Sequence, residues 1–226
     1  MTLQNIRLIS GSHLIGQVTY FCTSMSTAEN SILGLKMPTD PRWADLASIS
    51  LQEILTDHAF CEQKAATTCI SLISRYADKP DLVNALSPVV TEEWGHFRMV
   101  WAEMKKRGYT LGRQRKDEYV NLLMEREPKQ ERGAPDERLL HRLLIMALIE
   151  ARSCERFRLL HENLEDPALR DFYYKFMVSE AGHYRLMIDI AGLYFPADRV
   201  RETWAWWLKT EEDVLQHLTP RGDRMH

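Results

Sequence analysis

The sequence predicts an all-α fold: two long helical hairpins joined by one crossover, with a fifth helix at the C-terminal end. Three observations predict it. Apolar residues recur at helical spacing from about Ala44 onward. No stretch of that region keeps the every-second-residue alternation of a strand. Pro and Gly punctuate the chain at intervals that suit helices of several turns.

The first forty residues are rich in Ser, Thr, Asn and Gly and carry Pro38 and Pro41, so residues 1–43 read as an irregular arm with at most one short element. The first long helix is predicted from about Ala44 to Ala77, with Ile54, Leu55, Ala59, Ala65, Ala66, Cys69, Ile70 and Ile73 on its periodic face. "DKPD" at residues 78–81 ends it, because Pro80 does not sit in a helix interior, and Asp78 or Asp81 is placed to cap the next helix. The second helix runs from about Leu82 to Arg107 and stops at Gly108; Pro88 near its start is placed to split off a first turn. A polar connection, Gly108 to Ala134, has room for a short helix over Glu118 to Arg126 and lies over the bundle surface. The third helix spans about Asp136 to Asn163, the fourth starts at "EDP" (Glu165 to Pro167) and reaches Gly192, and Pro196 introduces the fifth, to about Leu218.

The links between helices one and two and between three and four are short, and the link between two and three is long. That is the connectivity of a ferritin-like four-helix bundle with a single long crossover. A chain of 226 residues fills one core and is short for two, so residues 1–226 read as a single domain with its helical bundle over 44–218.

Composition narrows the function classes. The chain is 45% apolar and 27% charged with a net charge of −3, a soluble globular balance in which any nucleic-acid contact must be concentrated locally. Cys22, Cys61, Cys69 and Cys154 form no Cys-x-x-Cys pair, which sets aside a zinc knuckle, a dithiol redox motif and a rubredoxin module. They read as free thiols of a reducing, cytoplasmic compartment. The N-terminal residues are too broken by polar side chains for a signal peptide, and no run approaches the roughly 20 apolar residues of a membrane span.

Two words repeat. "TEEWGHFR" holds Glu93 and His96, and "SEAGHYR" holds Glu180 and His183, each a Glu-x-x-His pair. Residues three apart share one helical face, so each pair offers a carboxylate and an imidazole to one point. With 8 His in 226 residues, chance alone gives about one such pair, so the repeat needs support. Support comes from upstream: Glu62 stands 31 residues before Glu93, and Glu150 stands 30 before Glu180. Both lie in apolar helical stretches, where an unpaired carboxylate is costly. The halves also align at Lys64 with Arg152, Ala66 with Cys154, Arg98 with Arg185, and Met99 with Leu186.

Glu62, Glu93, His96, Glu150, Glu180 and His183 therefore form a candidate site for two metal ions, each hairpin giving two carboxylates and one imidazole. Such ligands suit iron or manganese, and four carboxylates neutralise two divalent ions. Three neighbours compete for attention. Glu155 is the alternative to Glu150, Glu92 points about 100° from Glu93 and is solvated or paired, and His58 is either a packed or exposed histidine or a partner to Glu62 one turn away. A buried Glu/His/Arg network without metal, with Arg98 and Arg185 as its cations, is the competing structural account.

The words around the ligands carry a resemblance. "LGLKMPTDPRW", "ILTDHAFCEQKAA", "EEWGHFRMVWAEMKKRGYTLG" and "SEAGHYR" resemble the bacterial tRNA isopentenyladenosine hydroxylases, the MiaE family, over about Ile32 to Leu218. The resemblance implies a monooxygenase acting on tRNA whose adenosine beside the anticodon carries a 2-methylthio-N6-isopentenyl group. It implies a non-haem di-iron site on the six residues above, O2 as co-substrate, and an external two-electron donor such as a reductase or ferredoxin. A monomer without membrane attachment is expected. The alternative within the same fold is a rubrerythrin-like peroxide reductase or an iron-handling protein.

A tRNA substrate needs cationic contacts. Lys105, Lys106, Arg107, Arg113, Arg115 and Lys116 cluster after helix two, with Tyr109 among them. They fit anticodon-stem phosphates, and equally a solvated helix end where cations suit the dipole. "TWAWWLK" (Thr203 to Lys209) reads as fifth-helix packing.

Overall fold

The computed structural model describes residues 33–128 and 135–226. Most of the arm, residues 1–32, lies outside them. The described residues form seven helices and no strand: α1 (Arg42–Ile49), α2 (Leu51–Arg75), α3 (Pro80–Lys106), α4 (Glu118–Arg126), α5 (Pro135–Asn163), α6 (Pro167–Tyr194) and α7 (Ala197–Leu215).

Helices α2 and α3 pair along their length, as do α5 and α6. Each pair is antiparallel. Leu55 near the start of α2 shares a core with Met104 near the end of α3, while Leu72 and Leu82 meet beside the α2–α3 turn. Helix α7 lies against α5, and α4, carried by the crossover, rests on α7 through buried Tyr119 and Leu123. Trp207 of α7 is fully buried and donates its indole N–H to His141 Nδ1 at 3.0 Å. No helix among the described residues is long and apolar enough to cross a membrane.

Local chemistry sets most boundaries. Pro80 occupies the first turn of α3, where its missing N–H costs nothing. The cap position is Lys79, not Asp78 or Asp81, and no side chain caps it. Helix α3 continues through Pro88, because the long packed flanks on both sides outweigh the one lost backbone bond. Gly108 follows the end of α3 with φ +73°, a conformation that favours glycine. Asp117 caps α4 by accepting from Val120 N, and Asp166 caps α6 by accepting from Ala168 N and Leu169 N.

The single first helix expected over 44–77 is two. The chain turns at Ser50 (φ −111°, ψ 42°), whose N–H returns to Ala47 O. Helix α1 buries Trp43, Ala44 and Ala47. Helices α6 and α7 end at Tyr194 and Leu215 rather than at Gly192 and Leu218.

The chain after α7 folds back onto α1, α2 and α5. Trp43 Nε1 donates to Arg224 O at 3.1 Å, Met225 N donates to Asp57 Oδ2 at 2.8 Å, and Arg156 donates to Met225 O. This return passes so close to α1 that a methyl group at Gly222 would overlap the Leu46 backbone. Gly222→Ala is therefore expected to dislodge the tail and to cost about 1–3 kcal/mol. Urea denaturation, with limited proteolysis of the tail, measures it; an unchanged midpoint and an uncut tail would show that the close approach is not needed.

The core is in two parts. One apolar cluster gathers Cys69, Leu72, Leu82, Leu86, Leu143, Leu144 and Ile190. The other gathers Ile54, Leu55, Val100, Met104, Phe157, Leu160, Tyr173 and Phe176. On α2, α3, α5 and α6 the candidate metal ligands fall between the residues named for these two sets.

Candidate metal centre

Six side chains, from four helices, meet in the layer between the two apolar clusters. Glu62 comes from α2, Glu93 and His96 from α3, Glu150 from α5, and Glu180 and His183 from α6. All six are buried, from 1% exposed for Glu93 to 8% for His96. They form two overlapping groups able to hold a metal ion: Glu62, Glu93, His96 and Glu180; and Glu93, Glu150, Glu180 and His183. Within each group the ligand atoms all lie within 4.8 Å of one another. Glu93 and Glu180 belong to both groups, so each would be available to both of two ions.

The imidazoles point their Nδ1 atoms at the carboxylates. His96 Nδ1 is 3.4 Å from Glu62, 3.3 Å from Glu93 and 3.5 Å from Glu180. His183 Nδ1 is 2.8 Å from Glu93 and 2.9 Å from Glu180. One ring nitrogen carries at most one proton, so it cannot serve three carboxylates by hydrogen bonding. Glu93 Oε1 and Glu180 Oε1 are buried without a hydrogen-bond partner, the first despite its short approach to His183. His96 Nδ1 meets Glu93 Oε2, and His183 Nδ1 meets Glu180 Oε2, in hydrogen-bond geometry; the converging oxygens left over fit ligands of common ions.

Neither arginine of the competing network reaches the cluster. Arg98 is exposed, and Arg185 is an exposed partner of Asp189. Among the described residues, no Lys or Arg ion pair reaches any of the four carboxylates. Two divalent ions would balance the four carboxylates, so the residues present fit such a pair.

The electrostatics show the strain of leaving them together. Burial pushes the Glu62 and Glu150 carboxyls well above the ordinary range, and the neighbouring Glu180 and Glu93 carboxylates add to it. Burial opposes charge on His96, yet Glu62 and Glu93 beside it outweigh that and push it up to about 10. His183 rises well above its usual value against the same burial, through Glu180.

Sequence neighbours sort themselves by where they point. Glu155 faces away from the cluster, accepting from Thr39 N and Thr39 Oγ1 and pairing with Arg152. Glu150 is the α5 carboxylate that joins the site. His58 is fully buried, and its Nε2 lies 2.7 Å from Glu62 Oε1. Phe157, Tyr173 and Phe176 enclose its ring. Burial drives its pKa well down, and Nε2 is the ring nitrogen that meets Glu62. Glu92 is also paired, to Ser179 and beside His183.

Cys61, Asp117 and His226 also come close enough to hold an ion, but Lys64 already pairs with Asp117 at 2.7 Å. A cleft of about 610 Å³ lies between α4 and the returning tail, lined by Trp43, Tyr119, Arg156 and Arg224 among others; it shares no residue with the six-residue cluster.

The basic residues at the end of α3 and in the connection after it are of two kinds. Lys105, Lys106, Arg113 and Lys116 are exposed. Arg107 is committed to Glu103 and Asp166, and Arg115 to Asp223 and the Glu53 carbonyl. The last two are struts that hold the crossover and tail in place.

An all-helical bundle with this crossover, two Glu-x-x-His hairpins and one carboxylate from each partner helix defines the class: a ferritin-like, dinuclear-type carboxylate protein. Comparison with known proteins narrows it. The family model for the tRNA-(MS2IO6A)-hydroxylases, MiaE, matches residues 26–226, and the chain belongs to that family. It is 37% identical over 160 residues to the tRNA 2-(methylsulfanyl)-N(6)-isopentenyladenosine(37) hydroxylase of Pseudomonas putida, covering 71% of this chain and 76% of that one. Its identity to the enzyme of the same name from Salmonella typhimurium is 31% over 238 aligned residues, covering 85% and 87%. Among solved structures it is similar to protein 43 with aldehyde deformylating oxygenase activity from Synechococcus, with a TM-score of 0.79 and 36% identity, covering 85% of this chain and 94% of that one.

Proposed function

We propose that the protein hydroxylates the isopentenyl group of 2-methylsulfanyl-N6-isopentenyladenosine at position 37 of tRNA. Two irons held by Glu62, Glu93, His96, Glu150, Glu180 and His183 would serve the reaction. The observation that carries this reading is the pair of four-residue ligand groups sharing Glu93 and Glu180, in a chain of this family. The reaction balances as R–CH3 plus O2, two electrons and two protons, giving R–CH2OH and water. The electrons come from an external donor, a reductase or ferredoxin.

When bound, the irons supply oxygen activation. The chain's own residues fix the ligand atoms from four helices and keep water out of the layer between two apolar clusters. His58 fixes Glu62 from within a box of aromatic rings. The exposed Lys105, Lys106, Arg113 and Lys116 are the residues available to tRNA phosphates. Lys105→Ala with Lys106→Ala should flatten the salt dependence of tRNA binding by about one unit of slope for each phosphate no longer neutralised. An unchanged slope would place the phosphates elsewhere.

The experiment that tests the function is nucleoside analysis of tRNA from a strain lacking the gene. Prenylated adenosine should accumulate without its hydroxyl, and the gene should restore it. Hydroxylated nucleoside persisting in that strain would overturn the assignment. Conversion of an added aldehyde by the purified protein would favour instead the activity named for its Synechococcus neighbour.

Metal loading should also move protons. The carboxyls of Glu62 and Glu150 and the imidazoles of His96 and His183 are all pushed up in the absence of ions. An ion displaces those protons, so loading metal-free protein near pH 7 should release up to about two protons per ion. Lower pH favours the protonated groups, so the metal concentration for half-loading rises as pH falls. A pH-stat titration with Mn(II) measures both. Uptake with no proton release and no pH dependence would show that these four groups are not the ones displaced.

A further inference from the structure

Each ligand pair is preceded by a residue that reaches across to the other half. Glu92 stands just before Glu93 on α3, and Ser179 stands just before Glu180 on α6. Ser179 Oγ hydrogen-bonds His96 Nε2 at 3.3 Å, and Glu92 Oε2 lies 3.3 Å from His183 Nε2, within ion-pair reach of a ring nitrogen that has no other polar partner among the described residues. The two are joined to each other, Ser179 Oγ donating to Glu92 Oε1 at 2.8 Å. Both histidines direct Nδ1 to the carboxylate cluster, so Nε2 is the atom left for a positioning partner.

We infer that Glu92 and Ser179 are positioning residues. Together they form one bridge across the α3–α6 seam that aims both imidazoles at the metal centre. The inference rests on the six-residue site proposed above. A histidine ligand is oriented, and its donor strength set, by what its other nitrogen touches. Here the partners differ: a carboxylate stands beside His183 and a hydroxyl beside His96. The stronger acceptor raises the ligand strength of His183 more, so the two ion sites are unequal although their first ligands match. The matched positions make the inequality a property of one substitution in the repeat, Glu92 against Ser179.

The bridge is at the surface edge of the site. The Glu92 side chain is 51% exposed and makes no contribution to either apolar cluster, so its loss should leave the fold intact. Wild-type protein should bind two Co(II) ions in a titration followed by visible absorption. Glu92→Ala should bind one of them about 10–100-fold more weakly and alter its absorption band. Ser179→Ala should affect the other ion, and less. Glu92→Gln, which keeps an acceptor oxygen, should recover most of the affinity. Circular dichroism melts of the metal-free variants should match wild type; a lowered melt for Glu92→Ala with unchanged affinities and bands in Glu92→Gln and Ser179→Ala would make the bridge merely structural. Wild-type protein that takes up no ion would overturn the site itself. Two ions bound by wild type and by Glu92→Ala alike, with the same spectrum, would overturn the positioning role alone.

Discussion

Glu93→Ala is expected to lose both ions and to bring hydroxylation down by about three orders of magnitude or more. A bound ion supplies several kcal/mol to such chemistry, and each 1.36 kcal/mol is tenfold in rate. Glu93 is the residue to remove because it belongs to both ligand groups and approaches both histidines. Its loss takes a ligand from each group and leaves three carboxylates to balance the four charges of two divalent ions. Glu62 or Glu150 belongs to one group each, so Glu62→Ala or Glu150→Ala should spare one ion more than the other. The tRNA should still bind, because Glu93 is 1% exposed and touches no surface cation. Metal per chain, hydroxylated nucleoside and tRNA affinity measured on one preparation separate these outcomes. Glu93→Ala that keeps two ions and full activity would remove the shared-carboxylate reading.

Much of this site was legible because helices turn distance along the chain into direction. Glu93 with His96, and Glu180 with His183, needed only three-residue spacing. Glu62 and Glu150 needed only the assumption that each hairpin turns at its Pro-marked link, so that 31 and 30 residues bring the two arms level. The choice between Glu150 and Glu155 was open in the sequence, although five residues put them about 140° apart on α5 and so on different faces. What chose the face was the neighbour: Thr39 and Arg152 meet Glu155.

Contacts of long range were not legible. The basic cluster around the end of α3 reads as six similar charges until Asp166 and Asp223 are seen to take Arg107 and Arg115. Those partners stand 59 and 108 residues away. The break at Ser50 lies inside a continuous apolar period, which conceals it. The tail is a further case, since Asp57 and Arg156 hold it through backbone groups that no residue pattern announces. Glu92 read as solvated or paired on its helical wheel; which of the two could not be told, because its partner Ser179 lies on another helix.

Arg152→Ala is expected to cost more stability than any of the other substitutions, at about 3–5 kcal/mol. Arg152 is fully buried, and all five of its N–H donors are used. Nε and Nη2 donate to Glu211, Nη1 to Thr39 and Glu155, and Nη2 also to the Met37 carbonyl. One guanidinium thereby ties α5 to α7 and to the chain leading into α1. Its removal leaves two carboxylates, Glu155 and Glu211, buried at 1% and 0% exposure without their cation. Burial already pushes Glu211 upward, and Arg152 is what opposes that. The other hairpin supplies the control. Lys64 stands where the repeat aligns with Arg152, and it also reaches outside its hairpin, to Asp117 at the start of α4. Its side chain is 31% exposed, however, and a partly solvated pair of this kind is worth about 0–1 kcal/mol. Urea unfolding of Arg152→Ala and Lys64→Ala, both metal-free, should therefore differ by about 2 kcal/mol or more. Equal midpoints would mean that burial does not set the strength of these two ties, and the matched positions would then be equivalent struts.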